Sequence, residues 1–194
     1  MERKLRTRQL VESAVLLALG FILSMLKIKL IPGGGSVTLA SMLPIVFLAF
    51  KYGPAWGTLC GFIHGMLQVV EGGGLFPPAD TALSYILVFI LDYALAWAAV
   101  GLIAGLVRNM SKSPRISVAA GAALGILGRF ACSFTSGVII WASYAPEGQS
   151  PVVYSLLQNA TVFLPEIAIT AFLGFTLMSV RAIGQSVLPP AGLK

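Results

Sequence analysis

The sequence predicts an all-α integral membrane protein: a bundle of six transmembrane helices with the N- and C-termini cytoplasmic. Three observations carry that expectation. Apolar residues make up 57% of the 194 residues and charged residues only 10%, against about 25% charged in a soluble domain. Mean hydropathy is +0.90. Gly, Pro and charged clusters divide the apolar residues into six runs, and a spanning helix needs about 20 apolar residues. Six such helices use roughly 120 residues and leave about 74 for loops and tails. That excludes a soluble globular enzyme, a disordered chain and a secreted disulfide scaffold. No soluble catalytic or nucleotide-binding domain fits.

The elements follow in order, as one membrane domain over residues 1–194. Arg3, Lys4, Arg6 and Arg8 precede the first run, residues 10–26. This resembles the start of a signal peptide, but neither a small-residue cleavage site nor a polar mature domain follows, so it reads as a retained helix. Pro32-Gly33-Gly34-Gly35 ends the first hairpin. The second helix is expected over 39–50, with Val37 and Leu39 able to extend it. Lys51-Tyr52-Gly53-Pro54 reads as a tight turn before a third helix over 55–70. A Gly/Pro-rich loop leads to a fourth helix over 82–107. A basic loop, residues 108–115, precedes a fifth over 116–141. A polar loop with two prolines precedes the sixth, over 154–183.

Lys and Arg set the orientation. With the N-terminus inside, Arg3, Lys4, Arg6, Arg8, Lys51, Arg108, Lys112, Arg115, Arg181 and Lys194 fall on the cytoplasmic side. Only Lys27 and Lys29 fall outside, and the thirteenth, Arg129, lies within the fifth helix. Ten against two is a clear positive-inside signal. The net charge of +6 therefore follows the lipid bilayer and implies no nucleic acid. Gly53, Gly57, Gly61 and Gly65 are spaced by four, a strip that admits a close neighbour, and Gly101/Gly105 and Gly121/Gly125 repeat the device. Cys60 and Cys132 lie in apolar runs without metal-ligand spacing and read as packing residues.

Ionisable groups inside a membrane are expensive and usually functional. Asp92, Arg129 and Glu166 are the three candidates. Asp92 suits a counter-ion for a cationic ligand, or a structural partner for Arg129. Tyr85 and Asp92, seven apart, share a helix face. Arg129, Ser133, Gly137 and Trp141 form a stripe at spacing four on the fifth helix. Tyr154, Asn159 and Glu166 add polar and aromatic groups on the sixth. Trp141 and Tyr154 are equally compatible with interfacial belt residues. His64 is four residues from Gln68, so the two share a face, either lining a pocket or forming an interior pair. The chain has no P-loop and no zinc-protease HExxH. Ser136-Gly137 matches part of an intramembrane serine-protease motif, but Phe134-Thr135 precede it. No enzyme, cofactor or metal site is expected.

Further residues, taken in order, carry a resemblance: Asp92-Tyr93; Ser136-Gly137-Val138-Ile139 through Trp141; Ser143-Tyr144-Ala145-Pro146-Glu147-Gly148-Gln149; Tyr154-Ser155-Leu156 with Asn159; and Leu164-Pro165-Glu166. This series resembles the thiamine-specific substrate-binding subunits (S-components) of energy-coupling factor (ECF) transporters, the ThiT/YuaJ family. The first outer loop, Gly33 to Leu39, is also similar. The resemblance implies a six-helix bundle in the plasma membrane that binds thiamine from outside with high affinity. It implies an ECF transmembrane coupling subunit and two ABC ATPases as partners, and a first outer loop that acts as a lid. Ala14 and Ala18 match the small-residue signature that meets the coupling subunit. Asp92 matches an acidic ligand-binding position, Trp141 a ring-stacking tryptophan, Tyr154 and Asn159 hydrogen-bonding groups and Gly137 a small residue beside the ligand ring. Tyr93 and Arg129 match residues near the site. Ser133 stands where the family pattern has histidine, and His64 is the candidate to compensate from another wall. Another vitamin or a thiamine precursor, or proton-coupled transport through Asp92 or Glu166, are the alternatives.

Overall fold

The computed structural model describes residues 2–30 and 35–188, with side chains from Leu5 onward. Among these residues are seven helices and one short antiparallel hairpin: α1 (Glu2–Met25), β1 (Lys27–Lys29), β2 (Ser36–Thr38), α2 (Leu43–Tyr52), α3 (Pro54–Glu71), α4 (Ala82–Leu106), α5 (Pro114–Ile139), α6 (Pro151–Leu177) and α7 (Arg181–Val187). A single 3-10 turn, Ala142–Tyr144, lies between α5 and α6. Four helices are long and apolar enough to cross a membrane: Leu5–Met25, Ala82–Leu106, Pro114–Ile139 and Pro151–Leu177. Their outer faces expose large apolar residues such as Val15, Leu83, Leu127 and Phe172, which suits contact with lipid.

Several boundaries differ from the sequence expectation, each for a local reason. α1 begins at Glu2 rather than near residue 10. Its basic residues are good helix formers, and Arg8 pairs with Glu12 one turn on at 2.7 Å. Val37 does not extend the second helix; it pairs with Ile28 in the hairpin. The Thr38 N–H donates to Glu166 at 2.5 Å, and Ala40 adopts a φ of 54°, so the helix begins only at Leu43. At the other end α2 continues through Lys51 and Tyr52, and the expected turn shrinks to Gly53, whose φ of 92° breaks the helix. α5 starts on Pro114 and ends at Ile139, leaving Trp141 just beyond it. α6 stops at Leu177 instead of reaching residue 183, and a separate α7 follows; Thr176 and Ser179 hydroxyls bond back to Phe172 and Phe175 carbonyls, a local competition that weakens helix ends. Of the predicted loop, Pro32-Gly33-Gly34 lies outside the described residues, as do Lys194 and the side chains of Arg3 and Lys4.

α2 is the centre of the bundle. Residues Leu43 through Lys51 are all buried, as expected of a helix apolar on every side. It packs against α1, α3, α4, α5 and α7. α3 and α4 approach still more closely through the predicted glycines. A Cβ added at Gly61 would sit 2.2 Å from the Trp97 carbonyl oxygen, and one at Gly65 2.5 Å from that of Tyr93. A Cβ at Gly101 would sit 1.9 Å from the Gly57 oxygen. Gly121 and Gly125 serve likewise against Phe50 and Val100. The α3–α4 contact is thus backbone against backbone, with no room for a side chain.

α1 is held instead by polar contacts along α3. Trp56 Nε1 donates to Ser13 Oγ at 2.9 Å, and Gln68 Nε2 donates to Ser24 Oγ at 2.9 Å. Towards the N-terminal end, the Glu12 carboxylate accepts from Lys51 Nζ, Tyr52 Oη and Arg8 Nε. Just beyond the other end, Lys27 pairs with Glu71 at the end of α3.

Gly101→Ala is expected to lower stability by about 1–3 kcal/mol, the usual cost of overpacking a tight contact, while Leu83→Ala on the exposed face changes it by less than about 0.5 kcal/mol. Glu12→Ala, which strands the nearly buried Lys51, is expected to cost about 1.5–3 kcal/mol. Thermal unfolding of detergent-solubilised protein checks all three.

Candidate ligand-binding site

A cavity of about 620 Å³ opens between the hairpin, the end of α3, the middle of α4, the second half of α5 and the first half of α6. Pockets for small ligands run from about 300 to 1,000 Å³. Trp97 and Phe163 form its buried floor, while Phe76 and Tyr144 are exposed at its rim. Eight of the nine ligand-binding candidates line it: Asp92, Tyr93, Arg129, Ser133, Gly137, Trp141, Tyr154 and Asn159.

Asp92 reaches the cavity through a backbone irregularity. Residues Phe89–Ala94 form a π-helical turn inside α4. Such a turn takes in an extra residue and rotates the rest of the helix, and it is frequent at functional sites. The expected sharing of a face by Tyr85 and Asp92 therefore fails: Tyr85 is exposed and does not line the cavity. Asp92 Oδ2 accepts hydrogen bonds from Ser136 Oγ at 2.7 Å and Trp141 Nε1 at 3.1 Å. Among the described residues no basic group lies within ion-pair distance of it. The structural pairing of Asp92 with Arg129 is thus not formed.

Trp141 follows α5 and leads into the 3-10 turn, so its indole is fixed by side-chain contacts rather than by a helix. Its N–H binds Asp92, and its ring lies 5.7 Å from that of Tyr144. Gly137 lets α5 and α6 meet: a Cβ there would sit 2.1 Å from Ser155 Oγ. Ser155 in turn donates to the Phe134 carbonyl, and Asn159 Nδ2 donates to the Ser155 carbonyl at 2.9 Å. The Asn159 amide is tied into this junction by its nitrogen. Tyr154 and Ser133 complete the wall.

Arg129 lies flat on the floor. Its guanidinium carbon is 3.8 Å from the centre of the Trp97 ring and 5.2 Å from that of Phe163, and Nη1 donates to Met42 Sδ at 3.3 Å. Stacking on aromatic faces suits a weakly hydrated planar cation. His64 is not on the cavity wall. It is fully buried behind Trp97, with ring centres 4.5 Å apart, and 3.3 Å from the Gln68 amide nitrogen. The interior pair with Gln68 is the arrangement that forms, and only Gln68 reaches the cavity.

The rim holds an ion pair that sequence reasoning missed. Lys27 of β1 and Glu71 of α3 both line the cavity and bind each other. Their separation of 44 residues left no local signal. Ser136, present in the sequence reading as part of the resemblance and of a protease-motif fragment but given no role at the site, is a donor to Asp92. Tyr144 lies within one of the stretches that carry the resemblance, with no role attached. Trp97, Phe163 and Gln158 were hidden in apolar runs. Ala14 and Ala18 lie away from the cavity, exposed on the outer face of α1.

Comparison with known proteins identifies the family and the fold. The family model described as Thiamine transporter protein (Thia_YuaJ) matches residues 10–183. The chain is 32% identical over 173 residues to the thiamine transporter ThiT of Bacillus subtilis (strain 168), covering 84% of this chain and 86% of that one. It is 29% identical over 130 residues to the thiamine transporter ThiT of Lacticaseibacillus paracasei, covering 61% of each. A solved structure of ThiT from Listeria monocytogenes shares the fold, with a TM-score of 0.75 over 95% of this chain and 99% of that one at 21% identity. This multi-pass membrane chain belongs to the thiamine transporter protein family, Thia_YuaJ.

Proposed function

We propose that this chain is the high-affinity thiamine-binding subunit, the S-component, of an ECF-type ABC importer in the plasma membrane. Family membership supplies thiamine and transport. The observation that carries the binding reading is Asp92: a carboxylate on the wall of a mostly apolar cavity, held by Ser136 and Trp141 and without a basic partner within ion-pair distance among the described residues. Thiamine carries a permanent thiazolium charge. A cation over an aromatic face gains about 0.5–2 kcal/mol. A carboxylate about 4 Å away adds about 4 kcal/mol before desolvation is subtracted.

In this reading Asp92 neutralises the thiazolium or accepts from the aminopyrimidine. Trp141 stacks on a ligand ring beside Gly137, and Tyr154 and Asn159 supply hydrogen bonds. Tyr93, Arg129 and Ser133 shape the wall. His64, buried behind Trp97, takes no direct part in the wall. The chain binds and delivers its ligand unchanged; it is not an enzyme, and the energy comes from two ABC ATPases through a transmembrane coupling subunit. Ala14 and Ala18 on the open face of α1 are the proposed contact with that subunit.

The same reading takes six crossings with both termini cytoplasmic. α2 alone, at ten residues, is about 15 Å long against a core of about 30 Å. The second crossing is therefore shared between β2 and α2, residues 36–52. The positive-inside bias of Lys and Arg supports this orientation.

Titrating thiamine into detergent-purified protein, followed by tryptophan fluorescence and by calorimetry, tests the reading. Saturable quenching with heat supports it, and silence in both rejects it. Asp92→Asn is expected to weaken thiamine binding at least tenfold, about 1.4 kcal/mol; an unchanged affinity removes Asp92 from the site. Trp141→Phe keeps a ring but loses the donor to Asp92, and is expected to abolish most of the quenching while calorimetry still detects weakened binding. Uptake into liposomes containing the chain alone, without ATP, would favour a proton-coupled transporter instead.

A further inference from the structure

The cavity contains a contradiction that the proposed ligand sharpens. Arg129 is a permanent cation on the floor of a site read as binding another cation. Two like charges enclosed in one low-dielectric pocket repel each other far more than they would in water. The aromatic faces under the guanidinium soften this charge without cancelling it. Lys27 is already matched by Glu71. If Asp92 balanced Arg129, no carboxylate of the wall would remain for the ligand.

A second carboxylate lies behind the wall. Glu166 is 1% exposed, does not line the cavity, and sits one turn along α6 from Phe163, the ring beside Arg129. Its Oε1 accepts from the Thr38 N–H at 2.5 Å and from Thr38 Oγ1 at 2.7 Å. Thr38 Oγ1 is also 2.7 Å from Ser41 Oγ. The next residue, Met42, takes the hydrogen bond from Arg129. Glu166 and Arg129 are therefore gathered around one short segment, residues 38–42. Each keeps one buried atom without a partner: Oε2, an acceptor, on Glu166 and Nε, a donor, on Arg129. Buried polar atoms left so are rare, and this pair is complementary in charge and in hydrogen-bonding sense. Among the described residues the two form no ion pair within 4.0 Å, so the compensation acts through the buried polar interior and not by direct contact.

We propose that Glu166 is a specificity-determining positioning residue: it neutralises Arg129 from behind the cavity wall and so leaves the charge of Asp92 to a cationic ligand. The inference rests on the thiamine reading above. Glu166 touches no ligand. Its contribution is to the potential inside the cavity, so it discriminates by ligand charge and not by shape.

The test compares thiamine with an isostere whose thiazolium is replaced by a neutral thiophene, titrated calorimetrically against the full-length protein and two variants. Glu166→Gln retains an acceptor for Thr38 and removes only the charge. It is expected to lower the preference for thiamine over the neutral isostere at least tenfold, with the affinity for the isostere changed less than threefold. Arg129→Met, which keeps an apolar stem on Trp97, is expected to shift that preference the other way. Opposite shifts from the two variants support the proposal. Equal weakening of both ligands in Glu166→Gln marks a merely structural role and overturns it, as does an unchanged preference in both variants. If Glu166→Gln does not fold, judged by thermal unfolding, the double variant Glu166→Gln/Arg129→Met decides: a preference within threefold of the unmodified protein's supports mutual neutralisation, and the full shift of Arg129→Met alone overturns it. An unmodified protein that binds neither compound rejects the thiamine reading itself.

Discussion

Charge enclosed in an apolar bundle costs several kcal/mol per ion unless hydrogen bonds or opposite charge compensate it, and this fold is arranged around meeting that demand for Asp92, Arg129 and Glu166. Each is met differently. Asp92 receives a hydroxyl and an indole N–H. Arg129 is laid on two aromatic rings and a thioether. Glu166 takes both donors of Thr38. These solutions draw on α2, the hairpin, α4, α5 and α6. The polar interior therefore sets the relative placement of elements whose apolar contacts alone would tolerate sliding.

The close helix contacts serve the same end. With α3 against α4 at backbone distance, the Tyr93 and Trp97 carbonyls rest on Gly65 and Gly61, and the π-helical turn between Phe89 and Ala94 is backed by a rigid surface. A wide turn in a loosely packed helix would fray; here the neighbour leaves it no room. The hairpin is steadied on both sides, by Glu71 through Lys27 and by Glu166 through Thr38. The cavity walls are thus held by long-range contacts rather than by the local stiffness of any one helix.

Much of this was legible in the sequence, and the failures share a cause. Apolar runs and punctuating glycines and prolines marked the helices, because lipid imposes composition over whole segments. The glycine strips marked the α3–α4 contact. Six cavity residues stand out as polar or aromatic groups on apolar helices, Gly137 completes their stripe, and Tyr93 is marked by the family resemblance alone. The features that escaped depend on pairing between distant segments. Val37 looks like part of an apolar helix until Ile28 and Glu166 claim its strand. His64 looks like a pocket residue until the Trp97 ring screens it from the cavity. Lys27 and Glu71 look like ordinary loop charges until the hairpin folds over. Tyr85 was misread because a regular helix was assumed through a stretch that carries one residue too many per turn.

That extra residue has a consequence for how such a site could arise. Restoring a regular helix at Phe89–Ala94 by deleting one position would swing everything beyond it by about 100° and carry Asp92 or its supports off the wall. No series of single side-chain replacements in a regular α4 reproduces the present arrangement. The acidic position reaches the wall because the backbone absorbs one extra residue at this turn, and a chain with a regular α4 would have to place its acid elsewhere on the helix to reach the same cavity.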